Sequence, residues 1–177
     1  MSDRDRPRAW VFVWGAGAVL LSLLDAIVRL SRVAYEGISH GMLSGAQLGF
    51  TVVWTLVIVY GEGYRAFGSV LAPRMAARLM HLSTRGTATG RALAPLHALS
   101  LFDTPPRRLF SAWVLLVGIV TIVLIVRKLP QPWRGSVDLG VVLALTWGSV
   151  AIVRECVRAW RARAGRVDPE LANPPST

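Results

Sequence analysis

Four uncharged apolar runs, at 9–24, 41–61, 109–126 and 139–153, constrain this chain more than any other feature of it. A helix needs about 20 apolar residues to cross the hydrocarbon core of a bilayer, and each run reaches that length once its flanks are counted. Inside lipid every backbone N–H and C=O has to find a partner within the protein, which leaves helices or a closed barrel; runs of this length, without alternation, select helices. The expected fold is an all-α integral membrane protein of four transmembrane helices, with spans near 10–30, 42–61, 109–127 and 136–157 inside a membrane domain at 10–166. At 177 residues and 53% hydrophobic, the chain has little left for a soluble domain.

The charges set the expected orientation. Arg4, Arg6 and Arg8 precede the first span, seven arginines lie between the second and third, and five follow from Arg154 onward. Against these, only Arg29, Arg32, Arg127, Lys128 and Arg134 fall on the other side. By the positive-inside rule the 1–9 tail, the 62–108 connection and the C terminus are cytoplasmic, in a bacterial inner membrane. The first run has the charged flank of a signal peptide, but it continues without a small-residue cleavage site into Asp25, and is read as a retained span. Residues 62–108 are expected to form short amphipathic helices on the cytoplasmic interface, with Pro73 opening one in which Arg74, Arg78 and His81 oppose Met75, Leu79 and Leu82. The 167–177 tail reads as disordered.

Polar residues within or beside the runs are the candidate functional groups. Asp25, Arg29, Arg32, Glu36 and His40 are spaced 4, 3, 4 and 4 apart; the first four fall within roughly a 60° arc of one helix face. A lone carboxylate in a span costs on the order of 2–3 kcal/mol near mid-membrane, so Asp25 needs a partner. Arg29, one turn on, supplies a structural one; a proton- or ion-coupling carboxylate is the alternative. Gln47, Thr51 and Thr55 form an intramembrane polar seam suited to a neighbouring helix or to the lining of a path. Gly15 and Gly17 are expected to permit close helix packing.

An internal echo accompanies these features. Aligning Trp54 with Trp147 also matches Glu62 with Glu155 and Arg65 with Arg158. The match suggests two tandem helical hairpins in parallel orientation, coincidence in an Arg- and Ala-rich chain being the alternative. If the repeat is real, Glu62–Arg65 and Glu155–Arg158 are equivalent pairs, three apart on a helix face and able to form salt bridges at the cytoplasmic helix ends.

Several chemistries lack their residues. Cys156 is alone, so no disulfide or redox pair forms within the chain. Glu36 and His40 are too few ligands for zinc, and no metal or other cofactor is expected. A haem reading needs axial ligands in the bundle, and His40, His81 and His97 all lie outside the runs. No nucleophile elbow, HExxH or Walker motif is present, which disfavours an enzyme. The basic segments alternate with apolar faces beside spans, which points to anionic lipid headgroups and not to nucleic acid. Beyond the lipid bilayer two readings lead, with a membrane enzyme using Glu62, His81 and His97 on the cytoplasmic face as a weaker third. One is a non-enzymatic inner-membrane subunit or scaffold bound to a partner membrane protein, in which Asp25→Ala and Gln47→Ala disrupt assembly. The other is a small oligomeric transporter or channel, with Asp25 coupling and the Gln47–Thr55 seam lining the path.

Overall fold

The computed structural model describes residues 8–39, 43–85, 87–99 and 123–164, with single positions at 110, 114, 117, 120 and 121. The described residues are all-helical, without a strand. Three helices are long and apolar enough to cross a membrane: Ala9–Ser39, Gly45–Thr84 and Trp133–Ala162. Within the expected third span the described positions at 110, 114, 117, 120, 121 and 123–126 are helical and Arg127 lies in a turn; the rest of the span lies outside the described residues.

Helix α1 (Ala9–Ser39) is a single rod of 31 residues, which at 1.5 Å per residue is about 46 Å long and exceeds the roughly 30 Å hydrocarbon core. Its buried side comprises Val11, Phe12, Gly15, Ala16, Val19, Ala34 and Gly37. Helix α2 (Gly45–Ile58) begins with a capping box. Ser44 Oγ accepts from the Gln47 backbone N–H (3.3 Å), and Gln47 Oε1 accepts from the Ser44 N–H (2.9 Å).

The helix does not stop at Gly61-Glu62-Gly63. It widens into a π-helix over Val59–Leu71 and narrows again into α3 (Ala72–Arg85), where the Ala72 N–H still reaches back five residues to the Phe67 carbonyl. In an α-helix the Pro73 ring would strike the carbonyl four residues back and leave it without a donor. The wider turn just before it opens that space, which explains how proline follows without ending the rod. Two short helices, α4 (Ala88–Ala92) and α5 (Ala94–Ala98), come next. Thr87 caps the first of these, its Oγ1 accepting from the Gly90 N–H at 3.2 Å.

The last helix, α6 (Trp133–Ala164), packs against α1, α2, the π segment and α3, and so is the centre of the bundle. It runs antiparallel to α1: a Cβ on Gly37 would lie 2.8 Å from Gly135 Cα at one end, and the Phe12 and Trp160 rings are 5.5 Å apart at the other. It runs parallel to the second rod, where Thr51 meets Ser136, Gly63 meets Ala144 and Phe67 meets Gly148. Small residues on α6 make these approaches possible. A Cβ on Gly148 would lie 2.8 Å from the Phe67 ring, and one on Gly140 would lie 2.9 Å from Trp54.

The apolar side of the amphipathic segment is part of the core. Ala72, Met75, Ala76 and Leu79 cluster with Val11, Phe12, Ala16 and Val19 of α1, with Ala94 and Ala98, and with Ala151, Ile152 and Cys156 of α6. Gly15 lies directly beneath Leu79, and a Cβ there would overlap its Cδ2, so the close packing expected of Gly15 is present. No described residue lies within 4 Å of a Cβ placed on Gly17.

Candidate functional site

The polar residues singled out in the sequence separate into three places. Asp25, Arg29, Arg32 and Glu36 all lie on the exposed side of α1, opposite Ala34 and Gly37. Arg29 Nε lies 3.0 Å from Asp25 Oδ2 and donates to Oδ1 at 3.1 Å. The Asp25 side chain is 59% exposed and that of Arg29 77%, so the pair points out of the bundle and not into it. Leu21, Leu24, Val28 and Tyr35 share that exposed side. His40 lies outside the described residues.

The second place is the junction of α2 with the start of α6. Thr51 is buried, and its Oγ1 is 2.7 Å from both the Gln47 carbonyl and Ser136 Oγ, donating to one or the other. Trp54 Nε1 donates to the Val137 carbonyl at 3.3 Å. Phe50 stacks on Trp54 with centroids 6.0 Å apart and meets Trp133 edge-on at 5.2 Å, which closes this end with aromatic rings. Thr55 Oγ1 is buried without a hydrogen-bond partner among the described residues. Gln47, expected in the seam, uses its side chain in the cap of α2.

Ser136 and Asp138 were given no role by sequence spacing, yet both are buried. Asp138 Oδ2 faces Arg134 Nε one turn back at 3.7 Å, and neither atom has a hydrogen bond among the described residues. Asp138 lies about 200° around the helix from Ser136, on the Gly135 side and away from Thr51. The Asp138–Arg134 spacing is legible, but the burial of Asp138 depends on tertiary packing around the start of α6, which no local pattern announces.

The third place is the far end of α6, where Glu155 accepts from Arg154 Nη2 (3.3 Å) and Arg158 Nη1 (3.1 Å). Its echo behaves differently: Glu62 and Arg65 are both exposed and form no ion pair with each other. The reason is local. Residues three apart share a face in an α-helix, but the wider turn over Val59–Leu71 rotates them apart. The two echo segments nevertheless lie on rods that run parallel and in contact.

No group of three or more metal-ligating side chains occurs among the described residues. The structure does not bring Asp25 together with the Thr51–Thr55 seam; it joins Thr51 to Ser136, and the neighbouring Trp54 to the Val137 backbone. The Thr51–Ser136 contact has a measurable consequence. Thr51→Val is expected to cost about 0.6–2 kcal/mol of bundle stability, the range for hydrogen bonds between membrane helices. A double-mutant cycle with Ser136→Ala, read by unfolding in micelles, checks it; additive losses would mean that the two hydroxyls are not coupled.

No family model, curated protein or solved structure matches the chain.

Proposed function

We propose that this chain is a non-enzymatic, multi-pass subunit or scaffold of the bacterial inner membrane, with four spans and both ends cytoplasmic, that holds a partner membrane protein on the outward side of α1. The observation carrying this reading is the direction of the Asp25–Arg29 pair. A transporter using Asp25 as its coupling group needs that carboxylate in a path, whereas here it is exposed on the outer side of a span. Charge on a lipid-facing surface is costly, and a polar partner helix would remove much of the cost. Leu21, Leu24 and Val28 beside it supply the apolar contact such a helix would need.

Charge also favours a different protein over a second copy on this surface. A two-fold axis along the membrane normal keeps every residue at its own height, so it would set Asp25 against Asp25 and Arg29 against Arg29. A heterologous helix can present the opposite charges at those heights. The test places a photocrosslinking residue at Val28 or Tyr35, with Val57 on α2 as the comparison, in native membranes. A discrete adduct with one other membrane protein from Val28 and Tyr35, absent from Val57, is expected. Only self-adducts or lipid adducts at those positions would contradict the proposal.

A further inference from the structure

We propose that Arg154, Arg158 and Arg161 on α6 form a binding site for the phosphate headgroup of an anionic phospholipid, whose acyl chain lies along Val157, Val153 and Val150. This rests on the chain being a membrane protein and is independent of any partner on α1. The three arginines are spaced four and three apart, which puts them on one side of the helix, and all three are exposed. With Val157 and Ala162 they line a shallow concavity.

Two of the guanidinium groups are already held. The Glu155 side chain is only 12% exposed and pairs with both Arg154 and Arg158. Each arginine has five N–H donors, so donors remain on both for a phosphate, at a smaller loss of side-chain freedom than two untethered arginines would suffer. Glu155 here acts as a positioning residue. Arg161 adds a third cation with no ion pair among the described residues, so the cluster carries a net charge of +2 after the one carboxylate.

The apolar residues select a lipid over a soluble phosphate. Val150, Val153 and Val157 are 63%, 46% and 43% exposed and lead from the arginines into the uncharged part of the span. A lipid of matching polarity would place its headgroup at the arginines and its chain along the valines. The level is also right for headgroups: Trp160, next to Arg161 in sequence but on the core side of α6, packs on Phe12 near the start of α1, at the end of the bundle carrying most of the basic residues.

The experiment uses the full chain in nanodiscs of phosphatidylcholine containing a minor fraction of phosphatidylglycerol, with retained lipid read by native mass spectrometry. Wild type is expected to retain phosphatidylglycerol preferentially. R158Q/R161Q should reduce that preference by about tenfold or more, while R127Q/K128Q, which removes the same charge at the other end, should leave it intact. Val157→Asn should weaken retention, and millimolar inorganic phosphate should not displace the lipid. Equal retention in both double variants would overturn the site. Displacement by inorganic phosphate, with no effect of Val157→Asn, would overturn the lipid assignment in favour of a free anion. All five positions are exposed, and unchanged helical content in each variant establishes that the comparison is between folded proteins.

Discussion

Leucine in place of Gly37 or Gly135 is expected to part α1 from α6 and to destabilise the bundle by about 1–3 kcal/mol or more, the cost of forcing extra volume into a close-packed contact. A Cβ at Gly37 would lie 2.8 Å from Gly135 Cα, and one at Gly135 would lie 2.9 Å from Gly37 Cα and 3.3 Å from the Ala34 carbonyl oxygen. Backbone occupies the other side in each case, and backbone has no rotamer with which to yield. The Gln131 side chain, whose Oε1 accepts from the Gly135 N–H at 3.0 Å, closes the same corner. Gly17→Leu is the matched comparison, because no described residue lies within 4 Å of its Cβ position. Unfolding in detergent micelles should show a large loss at 37 and 135 and little at 17. Equal losses at all three would mean that the effect comes from helix propensity or lipid exposure and not from this crossing.

Leu79→Ala should have a comparable effect, about 2–5 kcal/mol, because it removes a fully buried side chain from the middle of a packed cluster. Leu79 lies over Gly15, among Met75, Ala94 and the apolar stripe of α1. If residues 72–85 lay on the bilayer surface as an amphipathic helix, the leucine would face lipid and its truncation would leave folding nearly unchanged. Leu93, 41% exposed on the same connection, provides the contrast: Leu93→Ala should cost well under half as much. Equal, small losses at both positions would contradict the packing of α3 against α1 and α6.

The parts of this molecule legible in the sequence are those fixed by periodicity. Uncharged run lengths mark three of the rods described, and the spacing of Asp25, Arg29, Arg32 and Glu36 places them on one side of α1 with Asp25 and Arg29 in reach of each other. Direction is another matter, since a polar stripe has the same spacing whether it faces a neighbour or the outside. The continuation through Gly61, Gly63 and Pro73 is illegible for a specific reason. Glycine and proline read as breaks only if the turn is α, and the π geometry over Val59–Leu71 absorbs them. The same widening explains why the Glu62–Arg65 pair is not formed while Glu155–Arg158 is. Gln47 shows a different failure: Ser44-x-x-Gln47 is a capping-box spacing, and reading Gln47 as a seam residue passes over the local explanation. Ser136 becomes a site residue only because it is buried against Thr51, 85 positions away.

The most direct test of the scaffold reading is quantitative co-purification of the tagged chain from its native membranes in mild detergent, with Asp25→Asn, Arg29→Glu and Gln47→Ala beside the wild type. One other membrane protein, close to one per chain, is expected with wild type and with Gln47→Ala, whose side chain serves the α2 cap, and is expected to be lost with Asp25→Asn and Arg29→Glu while both variants stay folded. Recovery of the chain alone, or of a self-oligomer unaffected by either charge variant, would contradict the account.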